Sequence, residues 1–138
     1  MGRAAILYPT GIAAAALALI AASDPAALSR TEPGLWEMTG LGGSKAAVQQ
    51  CVAKLSDFAV LEHRGRACAQ TRVTDTPASV TVTYTCSGSD FGRTKIDVLT
   101  PRSLKIDTQG ISDGLPFAYV VQAHRVGDCA KKPASAGH

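Results

Sequence analysis

The stretch CAQTRVTDTPASVTVTYTC, residues 68–86, is bounded by two cysteines and is rich in valine and threonine. β-Branched residues favour extended strands, and residues 75–79 around Pro77 are typical of a turn. If the turn is centred on Pro77, Cys68 and Cys86 lie equally far from it on opposite strands. The stretch therefore predicts a β-hairpin closed by a disulfide between Cys68 and Cys86.

The two remaining cysteines, Cys51 and Cys129, would by exclusion form a second disulfide that ties the two ends of the domain together. None of the four cysteines forms a C-x-x-C pair or matches a zinc-site spacing, so a disulfide framework is the better interpretation. Such a framework is typical of exported proteins. We expect a stabilisation of about 3 kcal/mol from the short loop and about 4 kcal/mol from the long loop.

Outside the hairpin, alternating apolar residues predict further strands and one short helix. Helical spacing of apolar residues from Val52 to Leu61 favours the helix, and residues 45–52 are either extended or helical. Residues 109–115, which contain two glycines, are expected to form a loop. The further strands are predicted at residues 35–39, 93–99, 103–108 and 117–126.

These elements predict a mainly β fold in which an antiparallel meander curls into a half-barrel or a small sandwich, with one short helix. Residues 108–117 leave two interpretations open, because they combine turn formers with the apolar Ile111 and Leu115. The segment is either a long hairpin connection whose apolar residues cover the open edge of the sheet, or a recognition loop for a partner protein or cell-envelope material.

The N-terminal residues have the anatomy of a secretory signal, because Arg3 precedes an uncharged stretch that ends in small residues. A proline and a glycine interrupt the stretch, and its later part is mostly alanine, which argues against a retained membrane anchor. We therefore expect a signal peptide at residues 1–23, a single domain at residues 24–129 and a disordered tail at residues 130–138. Cleavage of the signal would leave no membrane anchor.

Charge and composition argue against several classes of function. The chain has 14 Lys and Arg residues against 11 Asp and Glu residues, and the basic residues are spread along it, so nucleic acid is not an expected partner. The sequence has no G-x-S-x-G motif, and His63 and His124 each stand without a second histidine at metal spacing. The sequence accordingly predicts no catalytic residue, no metal site and no cofactor.

Several short motifs occur together along the chain, namely P-G-L-W-E at residues 33–37, Gln50-Cys51, Cys68, Cys86, and R-V-G-D-C at residues 125–129. In combination they resemble the proteobacterial family named domain of unknown function 3617. The resemblance spans almost the whole predicted mature chain and implies a small periplasmic protein with a signal peptide and paired cysteines. It implies a compartment and an architecture, and no mechanism.

The motif Gly34-Leu35-Trp36 is similar to the G-x-W of lipocalin-like barrels, in which a tryptophan closes the base of the barrel and a late arginine, here Arg125, lies across its ring. This similarity predicts a structural role for Trp36. The alternative is an apolar pocket for a lipid or a hydrophobic metabolite. Its candidate lining residues are Trp36, Leu104, Ile106, Phe117, Tyr119 and Arg125.

We expect the protein to act as a periplasmic, non-catalytic binding or envelope-interaction module, with an envelope protein or a small apolar ligand as its partner. A carrier of a small apolar ligand is the alternative, and a hydrolase comes third. A carrier should have a connected cavity behind Trp36, and an interaction module should have a filled core with an exposed apolar patch. A hydrolase should have a cleft with a histidine beside a nucleophile.

Overall fold

The computed structural model describes residue 2 and residues 25–130. The predicted signal peptide, apart from residue 2, and the predicted tail, apart from residue 130, lie outside the described residues. Within the described part of the chain, no helix is long and apolar enough to cross a membrane.

Seven strands form one antiparallel sheet that is not closed into a barrel, which confirms the predicted mainly β fold. The strands are β1 (Gly34–Thr39), β2 (Val48–Val52), β3 (Cys68–Asp75), β4 (Ser79–Cys86), β5 (Phe91–Thr100), β6 (Ser103–Ser112) and β7 (Leu115–Gly127). Their order across the sheet is β2-β1-β7-β6-β5-β4-β3. Strands β3 to β7 therefore form a meander, and β7 returns beside β1.

Three short 3₁₀ helices accompany the sheet: η1 (Ala26–Leu28), η2 (Leu41–Gly43) and η3 (Leu55–His63). Helix η3 occupies the segment in which the sequence predicts a short helix, although a non-helical residue, Val60, interrupts it (φ −126°, ψ 34°). It packs against β4, β5 and β6. We call the face of the sheet under η3 the inner face and the opposite face the outer face.

The cysteine hairpin forms as its sequence predicts over the half that lies nearest the disulfide. Cys68 faces Cys86, and the pairing continues in the same register as far as Arg72. A bulge at Val73 then shifts the register by one residue, so that Thr74 faces Thr81. One extra residue in one strand of a pair is the usual origin of such a shift.

The prediction of a loop at residues 109–115 is wrong. Strand β6 continues to Ser112 and β7 begins at Leu115, so only Asp113 and Gly114 connect them. Both connecting residues have positive φ, 49° and 78° respectively. An Asp-Gly pair is the preferred sequence for such a two-residue hairpin turn, because its twist matches that of the flanking strands. Neither the long connection nor the recognition loop is therefore formed.

The core lies between the inner face and η3. Trp36, Leu104 and Ile106 are almost completely buried there. Helix η3 places Phe58 edge-on to the Trp36 ring, with the ring centroids 5.1 Å apart and the ring planes at 76°. The indole N–H of Trp36 donates a hydrogen bond to the backbone carbonyl of Glu32 (3.1 Å), so its polar atom is satisfied inside the core.

Both predicted disulfides are confirmed. Cys68–Cys86 joins β3 to β4, and Cys51–Cys129 joins β2 to the segment that follows β7, with Cα atoms 5.4 Å apart. Because β1 lies between β2 and β7, the second disulfide closes across β1 and holds three strands together. A disulfide thus cross-links the strands at each edge of the sheet.

Candidate functional site

Two glycines thin the sheet at one end. Gly92 of β5 and Gly110 of β6 face each other, with Tyr84 of β4 and Phe117 of β7 on either side in the same row. A Cβ atom on Gly92 would lie 2.4 Å from the Tyr84 ring, and one on Gly110 would lie 2.1 Å from the carbonyl oxygen of Phe91. Only glycine fits such close approaches. The Tyr84 and Phe117 rings occupy the space that side chains would otherwise fill.

His63, the last residue of η3, closes this end of the inner face. Its ring is 1% exposed and packs edge-on to Tyr84, at 5.5 Å between centroids, and to Phe117, at 5.8 Å. His63 Nδ1 lies 3.0 Å from the Tyr84 hydroxyl, within hydrogen-bonding distance. Burial raises the pKa of Tyr84 to about 12. The helix is therefore joined to the thin part of the sheet by both packing and a hydrogen bond.

A buried carboxylate lies on the other side of the histidine. Asp90 Oδ2 is 3.6 Å from His63 Nε2, and Arg66 forms an ion pair with the same oxygen. The other oxygen of Asp90 accepts a hydrogen bond from the backbone N–H of Asp113 (3.0 Å). The hydrogen bond from Arg66 lowers the pKa of Asp90 below its ordinary value. Asp90 thus links the turn before β5 to the turn between β6 and β7.

Further hydrogen bonds satisfy the polar groups beneath η3. The Thr94 hydroxyl donates to the backbone carbonyl of Ala59 (2.7 Å) and lies 2.8 Å from the Thr108 hydroxyl. The Tyr119 hydroxyl donates to Glu62 (2.9 Å), and burial together with this carboxylate raises the pKa of Tyr119. These groups fix η3 on the sheet. Among the described residues, no group of three or more His, Cys, Asp or Glu side chains is arranged to hold a metal ion.

A groove of about 600 Å³ lies on the outer face, at the end where the glycines thin the sheet. Side chains alternate between the two faces of a strand, so the odd-numbered residues of β3, β4, β5 and β6 face outward here. Phe91 is 49% exposed in this groove. Its principal side chains are Thr71, Thr83, Phe91, Arg93, Gln109 and Ile111. We call it the outer groove.

The structure separates the residues that the sequence nominates for a ligand pocket. Trp36, Leu104 and Ile106 come together in the core beneath η3. Tyr119 packs against the edge of that core. Phe117 instead lines the outer groove.

Arg125 lies away from the groove, near the start of β1. It faces Trp36 across the β1–β7 ladder, and its guanidinium packs against Gly34. It donates a hydrogen bond to the carbonyl of Pro33 (2.9 Å) and forms an ion pair with Asp128. The contacts of Arg125 tie the two ends of the domain together.

Sequence reasoning missed the residues that define the outer groove, above all Phe91, Arg93 and Ile111. The available signal was the presence of Gly92 and Gly110 within β patterns, since an isolated glycine in a strand marks a bulge or a close backbone approach. Assigning residues 109–115 to a loop concealed this signal, because it removed Gly110 from the sheet.

The Tyr84 hydroxyl should make stability sensitive to alkaline pH. Its folded pKa of about 12 exceeds the ordinary value of 10.0, so its contribution is complete below pH 10 and is lost as the pH rises towards 12. Replacing Tyr84 by Phe should lower the free energy of unfolding by about 1 kcal/mol at pH 8, because the variant lacks the hydroxyl that hydrogen-bonds to His63. The difference in free energy of unfolding between the wild type and the Tyr84→Phe variant, measured by urea unfolding from pH 8 to 12, should narrow above pH 10. A constant difference would contradict the assignment.

Comparison with known proteins identifies the family. A family model described as protein of unknown function (DUF3617) matches residues 31–129, which include β1 to β7 and all four cysteines. No curated protein matches the chain, and no solved structure does. The family match covers more than two thirds of the 138 residues, including residues 33–37 and 125–129. The chain therefore belongs to the DUF3617 family.

Proposed function

We propose that this protein is a non-catalytic binding module of the periplasm, and that it holds an apolar molecule in the outer groove. The observation that carries the proposal is the half-exposed Phe91 beside Ile111 in a groove of about 600 Å³. Pockets of about 300 to 1,000 Å³ with mostly apolar walls are typical of small-molecule sites. The two disulfides support export, because such bonds persist in oxidising compartments.

The outer groove is a better candidate than the interior of the sheet. The residues behind Trp36 pack against Phe58 and the rest of η3, so a ligand there would have to displace the helix. The outer groove needs no such rearrangement, because its apolar side chains already face solvent. The alternative function, a carrier of a small apolar ligand, would use the same groove.

Neutral fluorescent probes offer a direct test. N-phenyl-1-naphthylamine should bind the purified domain, and the Phe91→Ala variant should bind it about ten-fold more weakly, because the ligand loses about 1.4 kcal/mol of apolar contact. Leu99→Ala is the matched control, since Leu99 lies on the same strand, is 62% exposed and does not line the groove.

The affinity of the Leu99→Ala control should equal that of the wild type. If both variants lose the same affinity for the probe, the probe binds elsewhere on the surface. A wild-type protein that binds no apolar probe would overturn the proposal. Urea unfolding of both variants provides the folding control, because replacing either half-exposed side chain should change the free energy of unfolding little.

A further inference from the structure

We infer that the molecule held in the outer groove carries one anionic group on a single apolar chain, as a free fatty acid does, and that Arg93 binds its carboxylate. This inference rests on the proposed function and specifies its ligand. It is carried by the position and charge of Arg93, which lines the groove and, among residues 25–130, forms no ion pair.

The outer groove has a polar row beside an apolar row. Arg93 of β5 faces Thr83 on β4 and Gln109 on β6, so these three side chains form a polar row across the sheet. The next outward-facing row, two residues along, contains Phe91 opposite Ile111. A ligand with an apolar body and a polar end would match both rows at once.

The charge of the groove indicates that the polar group of the ligand is negatively charged. Of the described residues that line the groove, Arg93 alone is charged, and none of them is a carboxylate. Within residues 25–130, the Arg93 guanidinium forms no ion pair. Lys95, two residues along the same strand and on the same face, is by contrast paired with Asp97 (3.1 Å). An unpaired guanidinium with five N–H donors is suited to bidentate recognition of a carboxylate.

The size of the groove selects one chain rather than two. About 600 Å³ lies in the range that takes a single drug-sized molecule. The diacyl body of a phospholipid is larger than such a molecule. We therefore assign the occupant as a free single-chain carboxylate and not as a membrane lipid.

Calorimetric titration at pH 8 with three ligands of equal chain length tests the assignment: dodecanoate, dodecan-1-ol and dodecyltrimethylammonium. The wild-type domain should bind dodecanoate at least about ten-fold more tightly than the alcohol or the cation, since hydrogen bonds to charged groups are roughly twice as strong as neutral ones. Added salt should weaken dodecanoate binding and leave dodecanol binding unchanged.

Variants of the arginine separate its charge from its packing. Arg93→Gln should abolish the preference for dodecanoate over dodecan-1-ol, whereas Arg93→Lys should retain part of that preference. Lys95→Gln removes the same charge from the same strand and face, outside the groove, and should retain the full preference.

The outcomes distinguish this inference from the proposed function. If the neutral probe binds but dodecanoate is not preferred over dodecanol, or if Arg93→Gln keeps the preference, the assignment of Arg93 is wrong and the groove remains a binding site. Binding of phosphatidylglycerol vesicles without binding of dodecanoate would overturn the choice of a free carboxylate. A domain that binds none of the ligands and no neutral probe would overturn both proposals.

Discussion

A variant with serine at both Cys51 and Cys129 should lose about 4 kcal/mol of its free energy of unfolding. The disulfide closes a loop with a sequence separation of 78, so its removal frees most of the unfolded chain and raises the entropy of the unfolded state. Small domains have about 5 to 15 kcal/mol of stability in total, so the loss would be a large share. Urea unfolding followed by circular dichroism measures it.

The second disulfide supplies the matched control for this experiment. The Cys68→Ser/Cys86→Ser variant opens a loop with a sequence separation of only 18, and it should lose about 3 kcal/mol. Both double variants replace two cysteines by two serines, so the difference between them reports mainly on loop length. A larger loss in the Cys68 and Cys86 variant would contradict the chain-entropy explanation.

Replacing Trp36 by Ala should also cost about 4 kcal/mol of unfolding free energy. The indole is fully buried, packs edge-on to Phe58 and donates a hydrogen bond to Glu32, so the variant loses its apolar burial, an aromatic contact and a satisfied donor together. Chemical unfolding should be followed by circular dichroism, because Trp36 is the single tryptophan of the chain.

The exposed apolar residue Leu99 provides the comparison for this experiment. Leu99→Ala should change the free energy of unfolding by less than about 0.5 kcal/mol, because that side chain is mostly in solvent. A loss below about 1 kcal/mol in Trp36→Ala would mean that the space behind Trp36 is loosely packed. It would then favour the interior as a ligand pocket over the outer groove.

Local sequence patterns were sufficient to predict most of the sheet. The cysteine hairpin, the strands around residues 93–99 and 117–126, and both disulfides follow from β-branched residues, alternation and cysteine arithmetic. The bulge at Val73 was not predictable in this way, because β3 is exposed on both faces and no apolar alternation fixes its register. The two-residue turn at Asp113 was missed because neighbouring turn formers suggested a longer loop.

The candidate site was less accessible to sequence reasoning than the fold. Apolar strand residues such as Leu104 and Ile106 were nominated because they alternate, and alternation identifies buried positions without separating a packed core from a pocket. The outer groove depends on which strands are neighbours, because side chains from β3 to β6 line it together and Phe91 faces Ile111 across β5 and β6. That pairing is a property of the assembled sheet and not of either strand alone.

The position of β1 between β2 and β7 has a consequence for the order of folding. Strands β3 to β6 join neighbours that are adjacent in sequence, so they can pair as soon as they are made. The first two strands have no partner in the rest of the sheet until β7, the last strand, has formed. Such long-range pairing slows folding. A chain that ends before Leu115 would keep the central hairpins and lose the strand pairing that, among residues 25–130, joins β1 and β2 to them.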